Sequence, residues 1–267
     1  MIPCISQVTT LPASFAEDLA NAAGAGFPAL EVWLTKLERH LETTSAADTA
    51  KQIADSGLRL AAAAYQGGLF LSSGEQRLAH FEHFKKRLDL CQRFGIPVMI
   101  LTADFSAQID AQSLGLAMKS LTEAARWAAG FGVRLALEFH GSDSFCNCLD
   151  TAIAFVKQCG EPNLGVCLDA FHYYRGPSKP EDLERLTSGN LAHVQLCDVA
   201  GVPREWMADA DRVMPGDGDF RLEPIVERLR VIGYSGAVSL ELMNPTLWSV
   251  NSAQVVETGR RALQRFL

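Results

Sequence analysis

Eight short apolar runs alternate with eight longer amphipathic segments along the chain, and few folds accommodate that order. The runs cover residues 2–6, 29–34, 58–64, 97–102, 133–139, 164–169, 191–197 and 237–242. The helix-like segments cover 14–25, 45–56, 75–94, 111–131, 149–159, 180–187, 222–232 and 252–267. Strict strand–helix alternation predicts a parallel sheet. Gly26, Gly57, Gly95, Gly132 and Gly233 sit where helices end and strands begin, the place of a left-handed C-cap. No linker, low-complexity tract or block of charge divides the sequence, so a single domain over residues 1–267 is expected.

Eight parallel strands close into a (β/α)8 barrel or open into a doubly wound sheet. No glycine-rich dinucleotide or P-loop motif follows the first strand. Instead, polar residues end strands far apart in sequence: Glu138 in LALEFH, Asp169 in GVCLDAFH, Gln195 in HVQLCD and Glu241 in VSLELMN. A barrel gathers such ends at its catalytic face, whereas an open sheet spreads them along an edge. The expected fold is therefore a (β/α)8 TIM barrel. Three half-buried carboxylates converging without a partner would repel one another and be costly to bury. A divalent cation removes both problems. Three carboxylates and an amide oxygen suit Mg or Mn first, with Co or Zn as alternatives. The competing reading is that these residues cap neighbouring helices or form salt bridges at the barrel mouth.

Composition narrows the classes of partner. The net charge is −7 and no Lys/Arg run exceeds the three residues Lys85-Lys86-Arg87, which disfavours nucleic acid. No apolar stretch reaches membrane-span length, and the first residues lack the pattern of a signal peptide. The seven cysteines lie mostly in apolar strand or helix contexts, as in a reduced cytoplasmic protein. Cys146-Asn147-Cys148 is too tight for a usual zinc knuckle.

Other residues near the strand ends are candidates for proton transfer or substrate contact. His140 lies two residues after Glu138 and shares its face in extended chain, while His172 follows Asp169 by three. Either can act as general acid or base, hydrogen-bond a substrate, or simply bond to backbone. His193 lies deeper in its strand, as a core or supporting residue. His40, His80 and His83 fall in or near helices and read as solvated. Arg212, in the polar loop ending Pro215-Gly216-Asp217-Gly218, can fork onto a carboxylate, phosphate or hydroxyl, or be a solvated turn residue. Arg175 and Lys179 are weaker candidates for that role. Glu31, Trp33, Tyr65, Gln66, Thr102 and Asn244 end or follow other strands and can line a pocket; Trp33 either stacks on a sugar face or fills the barrel mouth.

At these residues the chain resembles the xylose isomerase-like barrel superfamily. That group includes sugar isomerases, ketose 3-epimerases, inosose dehydratases, 3-dehydroshikimate dehydratases and endonuclease IV. Its pattern is a Glu ending strand five, Asp-x-x-His at strand six, a metal-binding His in strand seven, an Arg before Pro-Gly-x-Gly, and a Glu in strand eight. Glu138, Asp169 with His172, Arg212 before the Pro-Gly-Asp-Gly turn, and Glu241 match it. Strand seven departs: His193-Val194-Gln195-Leu196-Cys197-Asp198 puts Gln195 in the ligand position. An amide oxygen is a weaker donor for zinc, which favours Mg or Mn and argues against endonuclease IV. Some 3-dehydroshikimate dehydratases carry a Gln there, and several share the Ser-Leu-Glu-x-x-Asn pattern of residues 239–244.

The resemblance implies a divalent-metal-dependent sugar, or sugar phosphate, isomerase or epimerase working through an enediolate. Glu138, Asp169, Gln195 and Glu241 would hold the metal. Glu138 and Glu241 would move the proton, and His172, Arg212, Trp33 and Asn244 would contact substrate. A dehydratase of the 3-dehydroshikimate or inosose type is the alternative, with His140 as acid/base. A non-catalytic barrel that keeps the metal site is a third reading. The implied partner is a small sugar or polyol-like molecule, with no nucleic acid and no membrane, and a homo-oligomer is compatible with the sequence.

Overall fold

The computed structural model describes residues 1–105 and 107–267. Its strands are β1 (Ile2–Ser6), β2 (Ala29–Trp33), β3 (Arg59–Gln66), β4 (Val98–Thr102), β5 (Arg134–Glu138), β6 (Leu164–Asp169), β7 (Leu191–Leu196), β8 (Asp198–Val199), β9 (Arg212–Val213) and β10 (Ala237–Leu240). The helices are α1 (Phe15–Gly24), α2 (Leu34–Leu41), α3 (Ala46–Ser56), α4 (Gly74–Arg93), α5 (Ala111–Gly130), α6 (Leu149–Cys159), α7 (Ala170–Arg175), α8 (Leu222–Val231), α9 (Pro245–Trp248) and α10 (Ser252–Gln264). Eight strands form a closed barrel in the order β1-β10-β7-β6-β5-β4-β3-β2, and β8 pairs antiparallel with β9 outside it. This is the expected (β/α)8 barrel.

Local chemistry sets the boundaries. Ser14 caps α1 in a reciprocal box with Glu17, and Ser45 caps α3 through the amide of Asp48. Gly57 ends α3 at φ 71°, a conformation that costs a side-chain-bearing residue about 1 kcal/mol or more. The other four glycines expected at helix ends also have positive φ. The helix-like segment expected at 180–187 is a 3₁₀ helix over Pro180–Arg185, which buries Leu183, and Leu186 just after it is buried too. One expectation needs correction. The last barrel strand stops at Leu240, so Glu241 stands just beyond it.

By internal contacts the chain forms two compact units, Met1–Ala64 with Val194–Leu267, and Tyr65–His193. In the first, the small side chains Cys4, Ala29, Ala61 and Ala237 pack with Ile2. Helix α1 packs there against α3 and α10. The second unit has an aromatic core. Phe70 stacks on Phe105 with ring centroids 5.4 Å apart, and Phe145 and Phe155 meet Phe105 edge-on. Burying each such ring contributes about 1.5–3 kcal/mol.

All seven cysteines are free thiols. Among the described residues no helix is long and apolar enough to cross a membrane.

Candidate active site

In the second unit, β5 and β6 lie side by side with Glu138 paired to Cys167, so the acids that end them come close together. Glu138, Asp169 and His172 are all buried, and each offers a ligand atom within 4.8 Å of the other two. Asp169 has a double task. Its Oδ1 caps α7 by accepting from the amide of Phe171 at 2.9 Å, while Oδ2 lies 3.7 Å from Nε2 of His172. The capping and ligand readings thus describe two oxygens of one carboxylate. The single turn of α7 after the cap is what brings His172 back over Asp169. Two buried carboxylates and an imidazole at this spacing form a donor set that fits a divalent cation.

His140 stands beside this cluster. Its Nε2 is 3.7 Å from Oε2 of Glu138, and its ring stacks on that of His172 at 4.5 Å between centroids. Its side chain keeps 26% of its accessible surface, so it reaches solvent where its neighbours do not. Below it, Asp143 accepts from the amide of Phe105, and burial raises its pKa above the ordinary carboxylate value.

The first unit carries a buried polar network. Gln195 donates through Nε2 to Oε1 of Glu31 at 3.0 Å and to Oε1 of Glu241 at 2.8 Å. Arg212 donates from Nη1 to Oε2 of Glu241 at 3.1 Å, and from Nε and Nη2 to Oδ1 of Asp209. Its side chain is 1% exposed. Both edges of this guanidinium therefore face protein carboxylates, not the solvated turn considered from sequence. Asn244 caps α9 through the amide of Thr246 and donates to the carbonyl of Arg212. Trp33 is half-buried at the end of β2, its amide donating to Oε1 of Gln7.

The Pro-Gly-Asp-Gly turn owes its shape to Asp198. That carboxylate accepts from the amides of Val199, Gly216 and Phe220. A Cβ on Gly218 would lie 2.3 Å from Oδ1 of Asp198, so only glycine fits.

Sequence reasoning underrated Glu31, which is fully buried beside a register shift between β2 and β3. Its signal was a lone acid inside the apolar strand ALEVW. Of the helix histidines read as solvated, His80 bonds to the carbonyl of Gly68, and His40 bonds to Gln52 while packing on Phe15. His83 is exposed, and His193 is buried.

Comparison with known proteins agrees with this architecture. An inosose isomerase of Halalkalibacterium halodurans is 33% identical over 141 residues, covering 52% of this chain and 50% of that protein. A 3-dehydroshikimate dehydratase of Pseudomonas aeruginosa is 28% identical over 248 residues, covering 91% of this chain but 38% of that enzyme. The crystal structure of the IOLI protein with a bound zinc atom superposes with a TM-score of 0.92 at 24% identity, over 100% of this chain and 99% of that one. The model of the xylose isomerase-like TIM barrel family matches residues 19–266, and the chain belongs to that family.

Proposed function

We propose that the protein is a divalent-metal-dependent isomerase of a sugar or cyclic polyhydroxy ketone, acting through an enediolate. The observation that carries this reading is the buried cluster of Glu138, Asp169 and His172, with His140 beside it. A bound ion would polarise the substrate carbonyl and make the neighbouring C–H more acidic. Glu138 then takes that proton, and His140 moves a proton at the adjacent oxygen. Trp33 packs on the ring of the substrate. Gln195 and Glu241 remain in the proposed ligand set from their places at the ends of β7 and β10. Mn or Mg is the proposed ion, and the imidazole of His172 extends the range to Co and Zn.

Carbonyl transposition needs one base, whereas epimerisation needs a second on the opposite face. Glu241 is the candidate second base. Its Oε1 accepts from Gln195 and its Oε2 from Arg212, so taking up a proton would mean giving up one of these donors, whereas the remaining lone pairs still allow a cation to bind. Isomerisation therefore stands ahead of epimerisation. The relatedness to inosose isomerases supports the same choice.

One observation favours dehydration as a second reading. His140 lies 3.7 Å from Glu138 and reaches solvent, and in this reading it would protonate a leaving hydroxyl after Glu138 forms the enolate. A 3-dehydroshikimate dehydratase is also among the relatives. Proton NMR of Mg-loaded protein in D2O, with an inosose, ketoses and 3-dehydroshikimate, separates the readings. Deuterium entering next to the carbonyl with the carbonyl relocated supports the isomerase. New vinylic or aromatic signals move the assignment to a dehydratase, and no exchange with any of them rejects both for these substrates.

A further inference from the structure

The 3₁₀ turn after β1, Gln7–Thr10, is held at each of its four residues by a group outside it. The hydroxyl of Thr9 donates to the carbonyl of Leu240 at 3.1 Å and accepts from the amide of Leu242 at 3.0 Å. Those two backbone groups flank Glu241, just where β10 has ended. The carbonyl of Val8 accepts from Nε1 of Trp248. Gln7 fixes the amide of Trp33 through its side chain. Lys36 then closes the turn. Its buried ammonium donates to the carbonyls of Gln7 and Thr10 and to Oδ2 of Asp18, while Oδ1 of Asp18 accepts from the hydroxyl of Thr10.

We propose that Thr9 is a positioning residue for Glu241, and that the Lys36–Asp18 pair sets Thr9 by locking this turn. The inference rests on the reading of Glu241 as a functional carboxylate. Beyond Leu240 the strand ladder no longer fixes the chain on both sides, although the amide of Glu241 still reaches the carbonyl of Leu196 at 3.2 Å. One hydroxyl bonded on either side of Glu241 supplies the missing constraint. Lys36 also governs Trp33 through Gln7, so one buried cation orders both a proposed ligand and a proposed substrate platform.

Thr9→Val removes the hydroxyl and keeps the volume, and Thr9→Ser restores it. The two readouts are amide hydrogen exchange at Leu242 and the dissociation constant for Mn²⁺. In Thr9→Val, exchange at Leu242 accelerates by about tenfold or more while amides of α8 keep their wild-type rates. Mn²⁺ binding weakens by about 10–100-fold, as when a ligand loses its support. Thr9→Ser returns both values to near wild type. Wild-type exchange at Leu242 together with wild-type Mn²⁺ affinity in Thr9→Val overturns the proposal, as does equal acceleration throughout α8, which marks a general loss of stability. Should Thr9→Val not fold, Lys36→Met is read by the same two measurements with the same outcomes. Glu241→Gln is the control. If it leaves Mn²⁺ affinity unchanged, the ligand reading of Glu241 fails, and Leu242 exchange alone decides the positioning role.

Discussion

The ring of His140 lies over the ring of His172, with centroids 4.5 Å apart and planes 26° from parallel. Face-to-face imidazoles are compatible when at most one carries a proton charge. His172 is the more buried and shares its site with Glu138 and Asp169. His140 is the more exposed, and in the proposed mechanism it is the group that exchanges protons with substrate. His140→Asn should therefore lower turnover by about 10²–10⁴-fold, the range for loss of a general acid or base. Mn²⁺ stoichiometry should stay at the wild-type value. Loss of metal together with activity would instead place His140 among the ligands.

The proposed metal gives the second prediction. Chelation should abolish deuterium exchange into substrate, and added Mn²⁺ or Mg²⁺ should restore it. Asp169→Asn should weaken Mn²⁺ by about 10–100-fold or more, since it removes a charged donor. Gln195→His should raise affinity for Zn²⁺ relative to Mg²⁺, because imidazole is the softer donor. Unchanged metal preference in Gln195→His would remove Gln195 from the ligand set.

Much of this was legible in the sequence, because barrel periodicity is a local signal. Apolar runs, Ser caps such as Ser14 and Ser45, and glycines such as Gly57 each declare an element within a few residues. Glu138 and Asp169 were legible because acids that end apolar strands are unusual. The partners of Arg212 were not. Its pairing with Glu241 depends on a contact 29 residues away, which no local pattern encodes, and Asp209, three residues before it, is one of several acids in that loop. Thr9 was hidden for a similar reason, since Leu242 lies 233 residues along the chain. Glu31 was visible as a lone acid in an apolar strand, but not as the partner of Gln195, 164 residues away.

Arg212 and Asp209 should differ sharply in their contribution to stability. The guanidinium is buried and joins two carboxylates, whereas the Asp209 side chain is 43% exposed. Arg212→Lys keeps the charge but not the fork, and leaves Glu241 short of a donor in a buried site. It should cost about 2–4 kcal/mol, somewhat below the cost of removing one partner of a buried pair, since the charge is kept. Asp209→Asn should cost less than about 1 kcal/mol, as for other pairs open to solvent. Urea unfolding of the two variants checks this. Equal costs would mean that Asp209, not Glu241, is the main partner of the guanidinium.

The Lys36–Asp18 pair predicts how stability depends on pH. The two groups meet at 2.6 Å and are almost fully buried. Burial raises the pKa of Asp18 from 3.8 to about 6, with Lys36 and the hydroxyl of Thr10 opposing the rise. Folding thus raises the pKa of this acid. Between about pH 4 and pH 6 the native state keeps a proton that the unfolded chain releases, so its stabilising effect is full below about pH 4 and lost as pH climbs to about 6. Two units correspond to about 3 kcal/mol. Asp18→Asn cannot titrate there. The stability of the wild type minus that of Asp18→Asn should therefore fall by up to about 3 kcal/mol from about pH 4 to pH 6.5 and stay level from there to about pH 8. Urea midpoints of both proteins across that range measure it, and comparison with the variant removes the contribution of every other acid. A difference that grows with pH would show that the ammonium of Lys36 outweighs burial and holds the carboxylate ionised.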